Sequence, residues 1–118
     1  MKQAAKAVLL SALLLAAWPV TVGAATHARA ASTVSVKASE FKYALSKKSV
    51  GKGSVTFSIK NTGHVKHDLK INGKKSKLLA PGKSTTLTVK FKKAGKYKFQ
   101  CTVPGHAAAG MKGTLTVK

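Results

Sequence analysis

Acids are almost missing from this chain. Two carboxylates, Glu40 and Asp68, stand against 22 lysines and arginines in 118 residues, a formal charge of +20 at pH 7. That scarcity argues against hydrolytic chemistry by paired carboxylates, and no nucleophile–base pair is evident elsewhere, so no site for substrate chemistry is expected. Cysteine is as rare: Cys101 is the only one, so no internal disulfide can form. Methionine occurs at the start and once more, at Met111. No apolar run reaches the length of a confident membrane span, about 20 residues. Beyond the N-terminus no stretch carries a helical stripe, and no internal repeat is present.

What is present begins with an export signal. Lys2 and Lys6 precede a short apolar run from Val8 to Ala17, and small-residue sites follow at Val22-Gly23-Ala24 and Ala28-Arg29-Ala30. This layout predicts a secretory signal peptide with a short extension over residues 1–31 and a domain over residues 32–118. Neither a lipid-accepting cysteine nor an Arg-Arg pair follows the apolar run. The destination is the periplasm or the exterior, with membrane anchoring as the outcome if the signal stays uncleaved. In an oxidising compartment a lone cysteine needs a reason, and metal ligation supplies one.

From Thr33 onward the hydrophobic pattern has a period of two. Val34 and Val36, then Phe41, Tyr43 and Leu45, then Val55, Phe57 and Ile59, then Leu87, Val89 and Phe91, then Tyr97, Phe99 and Cys101 each alternate with small or polar residues. Turn signals such as Gly51-Lys52-Gly53, Asn72-Gly73, Pro81-Gly82 and Pro104-Gly105 separate the runs. The pattern predicts an all-β domain, a Greek-key sandwich or barrel of seven to eight antiparallel strands.

Strand parity selects side chains for one end of that sandwich. Cys101 continues the inward series of Tyr97 and Phe99. If Val65–Ile71 is a strand, Val65, His67, Leu69 and Ile71 share its inner face, and His64 falls on the other parity. His27 lies in the cleavage region. His106 and Met111 follow Cys101 on one loop, in the spacing Cys-x4-His-x4-Met. Taken singly, an inward cysteine or histidine is ordinary core. Together, His67, Cys101, His106 and a weak axial Met111 form the two-histidine, thiolate and thioether set of a blue-copper site.

At this point the chain resembles the cupredoxins, small blue-copper proteins, over Val34 to Lys118. The most specific part is Cys101 to Met111 followed by Lys112-Gly113-Thr114. Asn61-Thr62-Gly63 leading to His67-Asp68-Leu69 is a second, Glu40-Phe41 a third, and Ala80-Pro81-Gly82-Lys83-Ser84 a fourth. The resemblance implies an eight-stranded sandwich holding one copper ion, with His67 as first histidine ligand. Many members carry Asn after that histidine; here it is Asp68, which accepts hydrogen bonds from backbone N–H groups or the Thr102 hydroxyl but does not donate when ionised.

The expected function is one-electron transfer by Cu(II)/Cu(I) cycling, with a copper carrier or storage role as the alternative. A basic polyanion-binding module and a structural zinc site are further alternatives; the first is disfavoured because the aromatics follow core parity, the second because zinc seldom recruits methionine. Without Lys2, Lys6 and Arg29, the domain holds 19 lysines against two acids, a formal +17. That field predicts redox partners with acidic docking surfaces, weak association with anionic membrane surfaces, no specific nucleic acid and a monomeric state.

Overall fold

Two sheets face each other in the computed structural model, which describes residues 32–118; the expected signal peptide lies outside the described residues. The first sheet has the order β2-β1-β4-β7, from β1 (Ser32–Ser39), β2 (Lys42–Leu45), β4 (Gly53–Asn61) and β7 (Ser84–Phe91). The second has the order β3-β9-β8-β5-β6, from β3 (Ser49–Val50), β5 (Lys70–Ile71), β6 (Lys74–Lys75), β8 (Gly95–Gln100) and β9 (Lys112–Val117). The all-β sandwich is therefore as expected. Two pairings are parallel, β1 with β4 and β3 with β9. They arise because the chain leaves the first sheet after β2, contributes β3 to the second, and returns as β4.

The period-two pattern sets which residues meet. Val34, Val36, Val55, Phe57, Ile59, Val89 and Phe91 project inward from the first sheet and meet Ile71, Phe99, Leu115 and Val117 of the second. Burying each large aliphatic side chain here contributes about 1.5–3 kcal/mol. Phe57 and Phe91 meet edge to face at 6.4 Å, and Phe91 meets Tyr97 at 4.8 Å. Gly113 is required for close packing: a Cβ there would lie 2.5 Å from the Phe99 ring, which covers it from the opposite strand.

Two local expectations differ from what the structure shows. Alternation puts Phe41 with Tyr43 and Leu45 on the apolar face of a strand, yet it is 41% exposed with φ of 62°, in the β1–β2 turn. The chain must reverse there, so parity does not run through it. The segment Val65–Ile71 is not one strand: His67 makes an isolated bridge to Leu79, and only Lys70–Ile71 is extended pairing. Val65 is consequently exposed, whereas Asp68, expected on the outer face, is buried together with His67, Leu69 and Ile71.

Candidate metal centre

A second, smaller apolar cluster lies apart from the main core. It consists of Ala38, Cys101 and Met111, with Tyr43 and Val103 packed against it. β1 delivers Ala38, the end of β8 delivers Cys101, and the start of β9 follows Met111. The loop between them closes on itself through backbone hydrogen bonds. His106 N–H donates to Val103 O, Met111 N–H to His106 O, and Cys101 N–H to Met111 O, at 3.0–3.1 Å. The last of these fixes Met111 beside Cys101, and both are buried.

His67 arrives from the other side, on the segment after β4. Its backbone exchanges two hydrogen bonds with Leu79. One donor atom from each of His67, Cys101 and His106 lies within 4.8 Å of the others. Cys101 Sγ is 3.5 Å from His106 Nδ1, and the two imidazole centroids are 5.0 Å apart. His67 and Cys101 are fully enclosed, while His106 is partly open to solvent. His64 is exposed, and its ring takes no part in the cluster.

The donor chemistry fits a soft or borderline metal. His67 Nδ1 is buried and has no hydrogen-bond partner, a condition that costs free energy unless something binds there. Burial pushes the Cys101 thiol above its ordinary pKa. A cation binding the thiolate reverses that preference, because its charge replaces the lost hydration. Hence a metal held by the Cys101 thiolate would displace its proton.

Side chains outside the donor set hold the two segments. Asp68 accepts the Thr102 N–H at 2.7 Å and the Thr102 hydroxyl as well, tying the residue after His67 to the residue after Cys101. Tyr43 donates its hydroxyl to the Asp68 carbonyl, and burial pushes that hydroxyl above the usual phenol range. Asn61, fully buried, donates to the carbonyls of Val65 and Leu79 and accepts the Gly63 N–H. Glu40 Oε1 accepts the N–H groups of His64 and Val65 and lies 3.4 Å from His67 Nε2. Chiefly the His64 N–H holds the Glu40 carboxyl down to about 2.

The Asp68–Thr102 contact follows the sequence expectation. The roles of Asn61 and Glu40 do not: both enter the sequence reading only as parts of a resemblance. One signal pointed to Glu40. In a chain with two acids among so many lysines, each acid is a candidate for an internal task.

A family model described as a cupredoxin-like domain matches residues 12–117. A 43-residue stretch is 54% identical to the copper-resistant cuproprotein CopI of Pseudomonas aeruginosa, covering 36% of this chain and 24% of that protein. Forty residues are 50% identical to auracyanin-B of Chloroflexus aurantiacus, covering 34% of this chain and 17% of that one. The matches thus span a quarter or less of these curated relatives. The dithionite-reduced auracyanin of Roseiflexus castenholzii superposes with a TM-score of 0.64 at 27% identity, covering 75% of this chain and 98% of that one.

Proposed function

The chain belongs to the cupredoxin-like family, and from that membership we propose that it is an exported blue-copper protein carrying one electron between redox partners. Copper is the cofactor, and when bound it supplies a Cu(II)/Cu(I) couple. In this reading His67, Cys101 and His106 would hold the ion, with the buried Met111 thioether beside Cys101 as a weak further donor. The observation that carries it is the buried, partnerless Nδ1 of His67 beside a lone buried thiol and a second imidazole. Such a set is the trigonal His2Cys arrangement of electron-transfer copper.

Burial favours electron transfer over metal delivery. His67, Cys101 and Met111 are each at most 1% exposed, so handing the ion to an acceptor would require opening the pole of the sandwich. An electron needs no such opening, and His106 offers the partly exposed edge. Similarity to a copper-resistance protein supports the second reading, a copper-handling role. The two separate in one experiment. The copper-loaded protein is cycled electrochemically, then mixed with a Cu(I) chelator. The electron-carrier reading expects reversible one-electron cycling with copper retained over many cycles. Rapid transfer to the chelator, with irreversible redox, would favour handling.

The charge distribution supports an acidic partner. Among the described residues no lysine has a carboxylate within ion-pair distance, and both acids turn inward to the metal segments. Register places Lys112, Gln100, Lys70 and Lys75 side by side across four strands on the outer face of the second sheet. Like charges in neighbouring strands repel, and an anionic partner relieves this. Gln100 and Lys112 adjoin Cys101 and Met111 in sequence, so this row lies at the metal end. Association with an acidic partner is expected to slow steeply as salt rises. Export to the periplasm or exterior belongs to the same proposal, supported by the N-terminal pattern of residues 1–31.

A further inference from the structure

Glu40 and Phe41 form one turn that touches both histidines. Glu40 Oε1 is 3.4 Å from His67 Nε2, and the Phe41 ring meets the His106 ring edge-on at 5.1 Å. The turn is conformationally costly, because Phe41 holds φ at 62°, where non-glycine residues are uncommon. Space has been cleared for the carboxylate as well: a Cβ at Gly63 would lie 2.5 Å from Glu40 Oε1. An expensive turn, an acid in a chain with two, and a glycine that admits it all converge on one contact.

We propose that Glu40 is a positioning residue of the centre: its Oε1 takes the Nε2–H of His67, fixes that ring in the Nε2–H tautomer with Nδ1 free for metal, and by its charge biases bound copper toward the oxidised state. The inference rests on the copper reading above. Its physical basis is general. A metal-binding histidine is oriented by the hydrogen bond made at its other nitrogen, and a carboxylate there raises ligand basicity. An added negative charge stabilises the more positive oxidation state. The contact is long for a hydrogen bond, and its partners explain why it persists: the same oxygen is anchored by the N–H groups of His64 and Val65, three and two residues before His67. The carboxylate therefore organises the backbone of the segment and the ring it carries together.

The test has two arms. In the metal-free full chain, long-range nitrogen–proton NMR reads the tautomer of His67. The Nε2–H form is expected in the wild type and in Glu40→Gln, whose amide oxygen still accepts; Glu40→Ala is expected to lose the preference. In the copper-loaded protein, Glu40→Gln is expected to shift the equilibrium about tenfold toward Cu(I), a rise of about 59 mV for one electron. A wild-type His67 carrying its proton on Nδ1 would overturn the proposal, as would a potential unmoved by Glu40→Gln. If Glu40→Gln does not fold, Gly63→Ala serves in its place, since its methyl displaces the carboxylate and leaves Glu40 intact. If wild-type protein binds no copper, the proposed function fails, and the NMR arm still decides whether Glu40 positions His67.

Discussion

The two segments that meet at the metal centre are built in opposite ways. Cys101 to Met111 is closed by its own backbone: Ala109 N–H returns to Gly105 and His106, Gly110 N–H to Ala107, and Met111 N–H to His106. The segment from Asn61 to Leu69 has little of this. Side chains distant in sequence hold it, with Glu40 at one end and Thr102 at the other, and the Leu79 bridge between. Asn61 holds it from inside. A self-closed loop carries its geometry locally and tolerates change at exposed positions. A tethered one concentrates its stability in a few buried polar contacts.

The largest effect is expected at His67, the proposed ligand of the tethered segment. His67→Ala is expected to abolish the intense thiolate-to-copper absorption, and His64→Ala, three residues away and exposed, to leave it. Visible spectra of the copper-loaded variants check this. Equal loss in both variants would mean that the segment acts as a unit and that parity did not identify the ligand.

Next in size is Asn61→Ala. It removes three hydrogen bonds from a buried site and takes their partner from the Val65 carbonyl and the Gly63 N–H, while Leu79 O keeps the His67 N–H, so urea unfolding of the metal-free protein should show a loss of about 3 kcal/mol. In the self-closed loop, Ala108→Gly at an exposed position should cost under about 1 kcal/mol. Comparable losses would contradict the contrast between the segments.

That contrast also explains what could be read without a structure. The proposed ligand set was legible because Cys101, His106 and Met111 lie within one loop and alternation pointed to His67. Alternation failed at Phe41 and Asp68, where a reversal and a side-chain tether override it. The parallel pairings of β1 with β4 and β3 with β9 depend on where the chain changes sheets, which period-two patterning does not encode. Nor could spacing assign Glu40 to His67, 27 residues apart: that contact exists only once β1 and β4 lie side by side.

Smaller still is the tie between the two segments. Asp68→Ala removes the acceptor for the Thr102 N–H and hydroxyl and should weaken copper retention about tenfold, the lower end for an outer contact of a metal site. Competition with a chelator of known affinity measures it. The smallest effect is at low pH. The folded carboxyl of Glu40 is held down to about 2 from an ordinary 4.5, so its contribution to stability is complete above the ordinary value and disappears as pH falls toward 2. Denaturation of wild type and Glu40→Gln across that range should show the wild type losing this increment and the variant lacking it throughout.

The most direct measurement is to add one equivalent of Cu(II) to the folded, metal-free protein with Cys101 reduced, and to record visible and electron paramagnetic spectra. An intense thiolate-to-copper band, with the narrow copper hyperfine splitting of a blue site, is the predicted result. Folded protein that binds copper without that band, or does not bind it, would contradict the assignment of Cys101, His67 and His106 to one copper centre.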